Sequence, residues 1–138
     1  MNSLILPDYE QIPNVGLYLD QVARFINEIY VNHQDMMLTT SMISNYVKLK
    51  LVSKPDKKLY NREQISQFLF ISLAKNVTSL DNIRTFLKDN PDAYKMLKDE
   101  LDNDTELKSK ETNKLIIHNI AIALTHKIYL DELFKKEQ

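Results

Sequence analysis

The chain has 138 residues, 43% of them hydrophobic and 27% charged, with a formal net charge of −1, which is an ordinary globular balance and about one domain's worth of chain. Its single glycine, Gly16, excludes glycine-rich phosphate loops, dinucleotide fingerprints and a glycine-flanked nucleophile elbow, since each needs several glycines close together. Tight hairpins also favour glycine, so a mostly helical fold is expected, and the absence of cysteine removes disulfides, thiolate metal sites and cysteine nucleophiles.

Residues 1–13, with Pro7 and Pro13, read as an irregular arm that packs Leu4, Ile5, Leu6, Tyr9 and Ile12 onto the body. No positive charge precedes its short apolar run, and no stretch reaches the roughly 20 apolar residues of a membrane helix. A cytoplasmic protein with no membrane partner is the expectation. The first helix is expected after Asn14 as N-cap and to run to about Asn32, on the spacing of Val15, Leu19, Val22, Phe25, Ile26 and Ile29. A turn over 33–38 leads to a short second helix capped by Thr40 or Ser41. Its core stripe is Met42, Ile43, Tyr46 and Val47. Ser41, Ser44, Asn45 and Lys48 fall on the opposite face.

Residues 53–60 form a basic turn with the look of a small β-wing, and Tyr60 is expected to anchor it to the body. Asn61 with Gln64 three residues on predicts a capping box opening a third helix. The apolar run over 68–74 predicts that this helix is buried on several sides. Thr78 or Ser79 caps a fourth helix with the stripe Leu80, Ile83, Phe86 and Leu87. Asn90 and Pro91 end it and start a fifth, with Tyr94, Leu97 and Leu101. Residues 102–112 are polar and acid-rich, read as a loose connection or a solvated extension. The last helix, about 111–135, is too apolar in its first half to be buried on one side by a small domain. Ile116, Ile117, Ile120 and Leu124 are therefore expected to form a core shared by two chains, a homodimer.

Charge is unevenly distributed. Lys48, Lys50, Lys54, Lys57, Lys58 and Arg62 stand against Asp56 alone in residues 39–62, while the rest of the chain is neutral or acidic. A basic window beside a helix with a small, uncharged outer face is the footprint of a nucleic-acid contact. Small side chains at Thr40, Ser41 and Ser44 let a helix backbone approach a groove about 12 Å wide. Asn45 suits an adenine edge, Lys48 a guanine or a phosphate, and Lys54, Lys57, Lys58 and Arg62 suit phosphates.

The run Thr40-Ser41-Met42-Ile43-Ser44-Asn45-Tyr46-Val47, followed by Leu51-Val52-Ser53-Lys54-Pro55, Lys57-Lys58-Leu59-Tyr60-Asn61-Arg62-Glu63-Gln64-Ile65 and Ser79-Leu80-Asp81-Asn82-Ile83, resembles the DNA-binding domain of MerR-type regulators. With Leu6-Pro7 and Pro13-Asn14 added, it looks closer still to a bacterial family catalogued as domain of unknown function 1836. The resemblance covers roughly residues 4–90. It implies a winged helix-turn-helix with an N-terminal arm over 1–90, a C-terminal helical and dimerising region over 91–138, and regulation of transcription by binding duplex DNA as a dimer. MerR-type chains usually carry arginine where Ser44 stands and glycine where Lys50 stands.

A second reading keeps the fold and replaces DNA by a protein partner, a helical interaction module; the net charge and Ser44 favour it. No enzyme chemistry is expected, because Asp99, Glu100, Asp102 and Asp104 crowd a polar stretch and no nucleophile has a base partner. His118 and His126 lie about two turns apart, but no third ligand falls into place, so neither a metal nor a cofactor is expected.

Overall fold

The computed structural model describes residues 4–103 and 111–136. Six helices follow one another there: α1 Leu19–Ile29, α2 Thr40–Lys48, α3 Arg62–Ala74, α4 Leu80–Asp89, α5 Ala93–Asp102 and α6 Thr112–Lys136. Short 3-10 turns over Tyr9–Gln11 and Gln34–Met36 punctuate the arm and the α1–α2 connection. The fold is all-helical. Among the described residues there is no strand, and the expected β-wing reduces to a turn with two isolated bridges, Leu17 with Tyr60 and Asp56 with Leu59.

α3 lies at the centre. Its N-cap Asn61 accepts from the Gln64 amide at 2.8 Å while Gln64 Oε1 accepts from the Asn61 amide at 2.8 Å, the capping box its sequence announced. Every residue from Gln64 to Ala74 is buried. Phe70 stacks on Phe86 of α4, with ring centroids 5.8 Å apart, and Phe68 meets the edge of Tyr60 at 5.4 Å. From Gln64 on, the polar side chains of this helix are buried with partners. Ser72 donates to the Leu69 carbonyl at 2.6 Å and lies 2.8 Å from the Tyr30 hydroxyl, which joins α3 to the end of α1. Burial holds the Tyr30 phenol well above its ordinary pKa. Gln67 donates to the Pro91 carbonyl at 3.2 Å, at the entrance to α5. One hydrophobic cluster runs from Leu4 to Ile128, across residue 90.

The first helix starts later than its periodicity suggests. Leu17 exchanges two backbone hydrogen bonds with Tyr60, at 3.0 and 2.8 Å, so the chain stays extended to Tyr18 and α1 begins at Leu19. Helical backbone at Leu17 would surrender that pairing. The arm is strapped across the body: Tyr94 Oη donates to the Pro7 carbonyl at 2.5 Å and Lys98 pairs with Asp8 at 2.9 Å. Residues 104–110 of the expected polar connection, Asp104 among them, lie outside the described residues.

α6 corrects the expected dimer set. Ile117, Ile120 and Leu124 are buried against their own chain, with Ala121 and Ile128 on the same stripe. α5 is packed against this helix, and α3 touches it too. Of the four expected contact residues only Ile116 remains substantially exposed. A pattern with a period of 3.6 shows that a helix has an apolar face; it does not say whether that face meets the same chain or another. At the far end of α6, Lys127 bridges Asp35 and Asp131 at 3.0 and 2.9 Å, and its hydrogen bond holds the Asp35 carboxyl below its ordinary pKa. His118 Nδ1 lies 2.9 Å from Glu100, joining α6 to α5.

Leu124→Ala is expected to cost about 2–5 kcal/mol in denaturant unfolding, since the side chain is buried. In dilute solution, Ile122→Ala on the exposed side of the same helix is expected to cost under about 1 kcal/mol. Equal costs would contradict this orientation of α6.

Candidate nucleic-acid interface

α2 is positioned from both ends. Asn27 of α1 donates to the Leu38 carbonyl and accepts from the Leu38 amide, each at 2.8 Å, which fixes the chain just before the helix. The helix is therefore free to start at once, and its N-cap is Thr39, one residue before the expected Thr40 or Ser41. The Thr39 hydroxyl accepts from the Met42 amide at 3.1 Å. Ile43 and Tyr46 are buried, as the core stripe predicts, and burial raises the Tyr46 phenol's pKa. Thr40, Ser41, Ser44, Asn45 and Lys48 are exposed. They surround a shallow hollow of about 500 Å³ whose apolar lining is Leu19 and Val47.

The C-terminus of α2 carries a feature that the sequence pattern did not reveal. The Leu51 amide donates to the Tyr46 carbonyl at 2.9 Å and the Lys50 amide to the Val47 carbonyl at 3.0 Å. This is a Schellman motif, and its apolar pair is Leu51 with Tyr46, both buried. The motif needs a left-handed residue just past the helix. That residue is Lys50, at φ 64°, a backbone conformation that glycine adopts more easily. Arg84 of α4 donates to the Leu49 carbonyl at 2.8 Å and pairs with Asp81 at 2.8 Å, placing a cation at the negative end of α2.

The basic turn is closed by Asp56 and Leu59, which exchange backbone bonds of 3.0 and 2.9 Å. Lys57 and Lys58 occupy its two central positions at φ 51° and 67°, the signature of a type I′ turn. Such turns favour Asn-Gly, because bulky residues pay a steric penalty at positive φ. Among the described residues, the only non-glycine residues with positive φ are Lys50, Lys57 and Lys58. The base of the turn is fixed by Gln64 Nε2, which donates to the carbonyls of Ser53 at 3.0 Å and Lys54 at 2.9 Å. Gly16 lies against its far side, where an added Cβ would come within 2.8 Å of Leu59 Cβ. The single glycine thus serves a close approach of two chain segments. Tyr60 is buried, as its anchoring role required.

The candidate residues do not all come together. Thr40, Ser41, Ser44, Asn45 and Lys48 share the outer side of α2, and Lys54, Lys57 and Lys58 are exposed on the turn. Leu19 borders the α2 hollow while Leu17, two residues earlier, pairs with the end of the turn, so one short segment flanks both. Arg62 is the exception. Its Nε donates to the Ile12 carbonyl at 2.9 Å, its Nη2 to the Glu10 carbonyl at 3.2 Å, and its guanidinium carbon lies 5.5 Å from the centre of the Tyr9 ring. The arm thus occupies the guanidinium that was expected to meet a phosphate. Among the described residues, none of Lys48, Lys50, Lys54, Lys57 and Lys58 lies within ion-pair distance of a carboxylate, whereas Lys98 and Lys127 each bridge two. No three histidine, aspartate or glutamate side chains converge there to hold a metal, and no described helix is long and apolar enough to cross a membrane.

These features define a small all-helical protein with an exposed polar helix beside a basic, strained turn. The model of the family described as domain of unknown function (DUF1836) matches residues 7–107, and the chain belongs to that family. No curated protein and no solved structure matches it.

Lys50→Gly is expected to raise unfolding stability by about 1 kcal/mol, because glycine removes the left-handed penalty. Lys57→Asn combined with Lys58→Gly is expected to raise it by about 1–2 kcal/mol, giving the turn its preferred residues. Destabilisation by either change in a thermal melt would contradict the positive-φ assignment.

Proposed function

We propose that this protein is a MerR-like winged helix-turn-helix regulator of transcription that binds duplex DNA, with α2 in the major groove and the basic turn as a reduced wing on the phosphates. The observation that supports this reading is the set of unpaired lysines around an uncharged helix face, two of them held at positive φ at the tip of the turn. A turn shaped by stability alone would have asparagine and glycine at those positions. Lysines kept there against local strain suit a role in binding, since strain of this kind persists where surrounding structure and function require it. Asn45 is the candidate base reader; Lys48, Lys54, Lys57 and Lys58 are the candidate phosphate contacts.

The proposal includes a homodimer, since paired half-sites give such a domain its specificity. The surface that suits it lies on the side of α6 away from the core. Ile122, Tyr129 and Leu133 recur there along the helix, with Ile122 43% and Tyr129 59% exposed. Ile122→Glu with Tyr129→Glu is expected to leave the chain folded and to halve its mass by light scattering. An intact protein already monomeric at high concentration would remove the dimer from the proposal.

The test of DNA binding separates two kinds of contact. Lys57→Ala with Lys58→Ala is expected to weaken binding to every sequence and to flatten the slope of log affinity against log salt by up to about 1.8, at about 0.9 per lost phosphate contact. Asn45→Ala is expected to cost about 1–3 kcal/mol on the preferred sequence and little on random duplex. If both variants bind as the wild type does, α2 and the turn are not the interface.

A further inference from the structure

A groove of about 840 Å³ separates α4 from the first half of α6, on a different part of the molecule from the α2 face. Its floor is buried and apolar, built from the stacked Phe70 and Phe86 with Ile83 and Ile120. Leu115 and Ile116 extend that lining outward and are each about 40% exposed. The size falls in the range of small-molecule sites, and helical proteins place such sites between helices.

The edge of the groove says what chemistry fits. Asn82 uses its amide Nδ2 to donate to Thr78 at 2.9 Å, and Asn119 uses its own to donate to the Leu115 carbonyl at 2.7 Å. The side-chain carbonyl oxygens of both remain as acceptors. The Thr85 hydroxyl donates to the Asp81 carbonyl at 3.0 Å, which also leaves its oxygen as an acceptor. The one charged residue among the described lining is Asp89, again an acceptor, and no lysine or arginine contributes. The rim offers these acceptors beside hydroxyl and amide donors of Thr78, Thr112 and Asn113, and its one charge is negative and repels anions, while the walls take apolar or aromatic surface.

The geometry points to a binding site for an uncharged, largely apolar small molecule that carries an N–H or O–H donor. Such a ligand lays its rings against Leu115, Ile116 and the edge of Phe86 that reaches the surface, over a floor that Phe70 supports from below, and donates to the rim oxygens. Binding here does not depend on the DNA reading.

N-phenyl-1-naphthylamine has this character, and 8-anilino-1-naphthalenesulfonate is the same skeleton with a sulfonate added. Titrated into the full chain without DNA, the uncharged dye is expected to bind saturably at one site per chain, and the sulfonate at least tenfold more weakly. Ala123→Phe and Thr85→Phe, which narrow the groove from opposite walls, are each expected to weaken the uncharged dye at least tenfold. Melting temperatures identify any variant that has not folded, and the other variant then decides. Asp89→Asn is expected to reduce the discrimination between the dyes. Equal binding of both dyes, no saturable binding, or saturable binding that survives a folded wall variant would overturn the assignment. So would loss of dye binding in step with dimer formation by light scattering, which would give the groove to a second copy.

Discussion

Burial of α3 on every side is the constraint around which the other elements are arranged. From Gln64 on the helix has no solvent face and must satisfy each polar group it carries, and several of the bonds that do so fix another element. Gln64 holds the base of the basic turn, Ser72 meets Tyr30 at the end of α1, and Gln67 receives the chain as it enters α5. The apolar side chains between them meet α4, α5 and α6. The exposed elements are thereby positioned by the core: α2 hangs from Asn27 at one end and is capped by Arg84 at the other.

Against that rigid centre, local strain gathers in one small region. Three lysines adopt a backbone conformation that glycine or asparagine would adopt more easily, and all three lie in the basic window that the charge distribution marks out. The penalty of about 1–2 kcal/mol for each left-handed residue is small beside what a packed core provides, so the fold tolerates it. The consequence is a turn whose charge is held out from the body at fixed geometry. Gly16, the one residue without a side chain, stands where the extended segment passes closest to that turn.

Much of the scaffold was legible in the sequence because its signals are local. The Asn61–Gln64 capping box, the Ser79 cap and the all-round apolarity of the third helix each depend on neighbours within one or two turns. The misplacements come from long-range partners. The late start of α1 is imposed by Tyr60, far along the chain, and the capture of Arg62 by carbonyls of the arm. In α6 the surplus of apolar surface was visible, yet both sides of the helix are apolar, and only packing shows that Ile117, Ile120 and Leu124 face inward while Ile122 and Tyr129 do not. The candidate site was legible in residue type and charge. Its backbone was not, because Lys50, Lys57 and Lys58 carry no letter that announces positive φ.

The central claim is that α2 and the basic turn form a DNA-reading surface. The measurement that addresses it most directly is retention of random-sequence duplex DNA by the purified wild-type chain at low salt, followed by repeated selection at rising salt. Retention at low salt and enrichment of a defined sequence as salt rises are the predicted results. Failure to retain duplex DNA even at low salt would contradict the claim and leave the exposed helix and turn as a surface for a protein partner.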